Sequence, residues 1–176
     1  YTISCRGENV LSNLDQNESK NLDYKISLEL RALEFINKGM LSKAEEIYRD
    51  LINKGTDNHV TYGNLGIICG AHGNREDMIR FLKKSIEIEP LYEQAYNNLG
   101  IALRENNELE AAIKLFEKAI KIKPDYAEAY INLGMVMYQS NKIERAKIYY
   151  KKALEIDPKN VKAFNILAIT YENENK

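Results

Sequence analysis

Asn64, Asn98 and Asn132 recur at one even spacing, each directly before a Leu-Gly pair. An asparagine side chain offers a carbonyl acceptor and an amide donor, so a row of them can pair with a peptide backbone in both directions. Beside them, at the same spacing, runs an apolar row of Ile67, Ile101, Met135 and Ile169. Other residue types that do chemistry are sparse. Cys5 and Cys69 are too few for a disulfide framework, and His59 and His72 leave little for a metal site. Cys69 falls on an expected core face and reads as a small buried apolar residue, while His72 opens a turn. The glycines of YGNLGIICGAHGN lack GxxxxGK[ST] and follow no strand, which excludes a phosphate loop. The carboxylates form no pair outside expected solvent faces. No catalytic constellation, metal or cofactor is therefore expected, and the chain reads as a non-enzyme.

Composition narrows the classes further. With 176 residues, 44% hydrophobic and 29% charged, the chain can bury a core. Lys plus Arg number 25 against 26 Asp plus Glu, a net charge of −1. That balance argues against nucleic acid or an anionic membrane as partner. No stretch approaches the roughly 20 continuous apolar residues of a membrane span. Localisation is left at the cytoplasmic default. The sequence starts at Tyr1 rather than Met and is read as a trimmed chain or a fragment.

The elements that must position the asparagines follow from a period. The only prolines, Pro90, Pro124 and Pro158, recur at the same interval as the asparagines. Units then start at Lys25, His59, Glu93, Ala127 and Val161. Fourth positions read Leu28, Tyr62, Tyr96, Tyr130 and Phe164, and eighth positions Ala32, Gly66, Gly100, Gly134 and Ala168. The unit from Glu93 shares 12 identities with the unit that follows it. Each unit holds two helix-period stripes around a polar break, such as Asn106-Asn107. Pro124 cannot continue the second helix. The spacing predicts helices at 22–38, 41–54, 59–72, 75–88, 93–106, 109–122, 127–140, 143–156 and 161–174. Glycine inside a helix costs about 1 kcal/mol against Ala, so its recurrence at the eighth position implies close approach of the partner helix.

The aromatic, Leu-Gly, Ala, aromatic, Ala and Pro at these offsets resemble the tetratricopeptide repeat, whose unit is about 34 residues long. The match is strongest over 59–160 and fair over 25–58. It implies an all-α, right-handed superhelical solenoid of antiparallel helix pairs, about four full repeats plus a terminal helix. Residues 1–20 read as a polar, poorly ordered leader with room for a short helix around Val10 to Leu14. Residues 21–58 form a degenerate first repeat, with 59–92, 93–126 and 127–160 as full ones. The 161–176 segment is the first helix of a further repeat or a cap. Its Val161, Phe164, Ile166, Leu167, Ile169 and Tyr171 are apolar nearly all round. That implies a chain continuing past Lys176, or a homo-oligomer formed through this helix.

In such a solenoid, positions two, five, six, nine, twelve and thirteen of each first helix are expected to line the concave groove, the usual binding surface. Positions three and ten, mostly small, are expected to pack against the next unit. The asparagines then become a ladder that holds an extended peptide or partner protein without reading its sequence. Specificity falls to Gln94, Asn97, Arg104, Glu128, Ile131 and Tyr138. Gly63, Gly70 and Ala71 fall on the same stripe and could leave a shallow depression there. The ladder is similar to one in the repeat region of O-linked N-acetylglucosamine transferase, so a substrate-recognition arm of a glycosyltransferase-like enzyme is the alternative. A third reading is self-association through 161–176. The family's clamp for a C-terminal carboxylate needs Lys at position five and Asn at nine. Here those positions hold Gly63, Asn97 and Ile131, then Ile67, Ile101 and Met135, so a chaperone tail is not the expected ligand.

Overall fold

The computed structural model describes the backbone of residues 7–174 and the side chains of residues 20–173. Among the described residues there are nine helices and no strand: α1 (Gly7–Asn37), α2 (Leu41–Asn53), α3 (His59–Ala71), α4 (Arg75–Ile88), α5 (Glu93–Glu105), α6 (Leu109–Ile122), α7 (Ala127–Gln139), α8 (Ile143–Ile156) and α9 (Val161–Glu174). From α2 onward every boundary lies within one residue of its predicted place. Helix α1 does not. It reaches back to Gly7 through the segment read as a poorly ordered leader, because no glycine or proline interrupts the chain between Gly7 and Gly39. The expected leader residues 1–6, with Cys5, lie outside the described residues.

The chain divides into two compact units, 1–57 and 58–176. In the first, α1 and α2 pack as a helical hairpin around Ala32, Ala44, Tyr48 and Leu51, all buried. Lys54 fastens its far end, bonding Asp50 at 2.7 Å and lying 4.9 Å above the Tyr24 ring.

In the second unit α3/α4, α5/α6 and α7/α8 form three helix pairs, and α9 packs on α8. The first helices of successive pairs, α3, α5 and α7, also touch in turn. The turn inside each pair is set by a residue with left-handed backbone, Gly73 (φ 79°), Asn107 (φ 62°) and Asn141 (φ 59°), again one repeat apart. The next amide then reaches back into the helix, as from Asn74 to the Cys69 carbonyl at 2.8 Å, closing its C-terminus. Between pairs the prolines act on the residue before them. Glu89, Lys123 and Asp157 are driven to φ near −128° or −129°, which ends α4, α6 and α8.

The eighth-position glycines are where the helices of a pair meet. A Cβ on Gly134 would lie 2.5 Å from Cε1 of Tyr150, and one on Gly100 2.7 Å from Cε1 of Phe116. Positions three and ten are covered by neighbouring repeats: Ala95, Ala129, Ala163, Ala102 and Val136 are fully buried. Cys69 is buried in the α3 core, as expected.

Candidate functional site

The first helices of the second unit present their ninth positions in register. Ile67 is 45% exposed, Ile101 and Met135 are half-buried, and Ile169 is 53% exposed. Asn64 and Asn98 beside them are half-buried. The Asn98 side chain makes no hydrogen bond among the described residues. Gln94 and Glu128 are exposed, and each accepts from a tyrosine two residues before it, Tyr92 at 2.6 Å and Tyr126 at 3.4 Å. Burial pushes both tyrosines above the usual phenol range, helped by Glu93 beside Tyr92 and by Glu128 beside Tyr126.

The fifth position is not the open stripe expected of it. Asn97 is 2% exposed and Ile131 fully buried, the latter packed with Ala153 and Ala163. Asn132 is buried as well, and its Nδ2 donates to Asn97 Oδ1 at 2.9 Å. The amide expected to face a ligand instead joins α7 to α5. The cause is geometric: each first helix packs on the next, and positions five and six lie along that seam. The space beside Gly63 and Gly70, where a shallow depression could lie, is filled too. A Cβ on Gly63 would meet Tyr92 Cε1 at 3.1 Å, and one on Gly70 would meet Met78 Sδ at 2.6 Å.

Arg104, Met135 and Tyr138 do converge. They line a cavity of about 460 Å³ with Glu105, Gln139, Tyr150, Ile166, Ile169 and Thr170. Three first helices and α8 thus contribute to one concavity. Arg104 is half-buried and Tyr138 partly exposed. The Tyr138 hydroxyl accepts from Asn173 Nδ2 at 2.9 Å, tying α9 to α7. Tyr150 forms the cavity's α8 wall. Burial, with Tyr138 nearby, pushes its hydroxyl up to about 12 against an opposing pull from Arg104. Tyr150 and Thr170 were not among the expected site residues. The available signal was a tyrosine at a core position that Tyr48, Leu82 and Phe116 fill in the other repeats, since a buried tyrosine hydroxyl needs an outlet.

Among the described residues no group of three or more His, Cys, Asp or Glu is placed to hold a metal, and no helix is long and apolar enough to cross a membrane. Lys84 and Lys152 pair with Glu87 and Glu155, each at 2.8 Å, on exposed faces of α4 and α8.

Helix pairs recurring at this even interval define an all-α helical-repeat protein. Residues 91–159 and 149–176 each match a model of the tetratricopeptide repeat, so residues 91–176 carry tetratricopeptide repeats. Among solved structures it is similar to MamA, at 28% identity over 82% of this chain and 84% of that one, with a TM-score of 0.69. It also superposes on YrrB, described as a TPR protein with an unusual peptide-binding site, at 21% identity, 90% and 87% coverage and a TM-score of 0.68. A third neighbour is the first TPR of Spaghetti (RPAP3) bound to the HSP90 peptide SRMEEVD, at 21% identity, 68% and 97% coverage and a TM-score of 0.64. No curated protein matches the sequence.

Proposed function

We propose that the first-helix face of residues 58–176 binds an extended segment of a partner protein, as a scaffold rather than a catalyst. The observation that carries this reading is the register of Ile67, Ile101, Met135 and Ile169, open beside the unengaged amide of Asn98. Packed helices lie about 8–10 Å apart, and an extended chain advances about 3.3–3.6 Å per residue. One apolar contact therefore meets about every third residue of such a segment. The peptide held by the Spaghetti repeat and the peptide site named for YrrB support the same use of this fold. Selection of short random peptides on phage, followed by methyl NMR, tests it. Enriched peptides should shift Ile67, Ile101, Met135 and Ile169 together. Shifts confined to α4, α6 and α8 would reject the reading.

A second reading rests on α9, where Val161 is 70% and Phe164 63% exposed. In α5 and α7 the fourth positions, Tyr96 and Tyr130, are half-buried, and the eighth, Gly100 and Gly134, lie against Phe116 and Tyr150 of the second helix. Self-association through this helix predicts a mass that rises with concentration in light scattering. A constant monomer mass would reject it.

A further inference from the structure

We infer that the cavity bounded by Arg104, Met135, Tyr138, Tyr150, Ile166 and Ile169 is the specificity pocket of this surface, and that it takes a large apolar side chain flanked by a carboxylate from the partner's segment. The inference rests on the peptide-binding reading above and adds the chemistry of the ligand.

Two groups on the cavity wall lack the partners their chemistry requires. Arg104 is half-buried, and among the described residues its guanidinium makes one hydrogen bond, from Nη1 to the Met135 sulfur at 3.1 Å. A guanidinium has five N–H donors shaped for a carboxylate, and a thioether is a weak acceptor. Among the described residues no carboxylate pairs with Arg104. Its neighbour Glu105, also on the rim, instead faces Arg75 at 4.0 Å. The second group is the Tyr150 hydroxyl. Tyr150 is 1% exposed, yet its hydroxyl makes no hydrogen bond among the described residues. No fully buried side-chain oxygen or nitrogen there is left unpartnered. The hydroxyl therefore has its opening into the cavity that Tyr150 lines.

The remaining wall is apolar: Met135, Ile166 and Ile169, with the Tyr138 ring at the edge. About 460 Å³ lies within the range of pockets that enclose an organic group, and exceeds one aliphatic side chain. An aromatic or long aliphatic side chain fills the apolar part. A neighbouring Asp or Glu pairs with Arg104, and a carbonyl of the segment accepts from Tyr150. Glu105 and the half-buried setting disfavour a segment with several acidic groups and no apolar one.

The test uses the full chain and methyl NMR titration with the acetylated, amidated pentapeptide Gly-Glu-Phe-Glu-Gly. Gly-Gln-Phe-Gln-Gly and Gly-Glu-Ala-Glu-Gly serve as controls. The first peptide should give saturable shifts at Met135, Ile166 and Ile169, and each control should bind about tenfold more weakly. Arg104→Gln should abolish the preference for Glu over Gln while keeping that for Phe over Ala. Tyr150→Phe keeps the ring beneath Gly134, and should weaken all three peptides without changing their order. Equal affinity for the Glu and Gln peptides, or no saturable shift at the cavity methyls, overturns the inference. Binding of 4-phenylbutyrate without binding of any peptide also overturns it, in favour of a small-molecule site. If selected peptides still shift Ile67 and Ile101, the groove reading survives that loss.

Discussion

Asn132 and Asn97 share a hydrogen bond of 2.9 Å between α7 and α5, with both side chains nearly sealed from solvent. A polar pair at the seam between repeats is satisfied only in one register of the two helices. Sliding one helix past the other leaves two amides buried and unpaired.

The pair should therefore show coupling. Asn132→Leu alone strands the Asn97 amide and should cost about 1–3 kcal/mol in urea unfolding. Replacing both by Leu should cost less than the sum of the two single changes. Strict additivity would mean that the bond contributes nothing to the seam.

Gly134→Ala places a Cβ 2.5 Å from the Tyr150 ring. The ring is buried, so overpacking should cost about 1–3 kcal/mol. The double variant Gly134→Ala with Tyr150→Leu should recover part of that loss, because the shorter side chain vacates the space. Thermal unfolding reads both.

Asn141 holds φ at 59° in the turn between α7 and α8. Asn141→Gly should hold or raise stability. Asn141→Ala should lower it by about 1 kcal/mol, the left-handed strain of a Cβ-bearing residue without a local polar side chain. Equal stability of the two variants would mean that the turn relaxes to another conformation.

Tyr150 also sets an alkaline limit. Its hydroxyl is pushed up to about 12, so at pH values between about 10 and 12 the unfolded chain has lost this proton and the native chain has kept it. The unfolded state then binds fewer protons, and stability falls as pH rises through that window. Tyr126, also raised by burial, steepens the decline. Tyr150→Phe should flatten the fall relative to the native sequence, as measured by urea midpoints across that range.

The repeat, its helix boundaries and its close-packed glycines are legible in the residues because each depends on local, periodic physics. A proline ends a helix wherever it stands, and a glycine or asparagine can close a turn without help from distant residues. Arg104, Met135 and Tyr138 were legible as exposed-face positions for the same reason. Asn97, Ile131 and Asn132 were not. A helical wheel places them on a face away from the core, but whether the adjacent repeat covers that face depends on how closely two first helices approach.

The repeat period by itself determined the helices from α2 to α9 and the pairing of each first helix with its second, since apolar spacing and chain-breaking residues act over a few positions. Tertiary structure alone decided that two asparagines bond to each other instead of facing outward. It also decided that a tyrosine from α8 opens into the same cavity as an arginine from α5. Both outcomes turn on packing distances between helices that lie far apart along the chain.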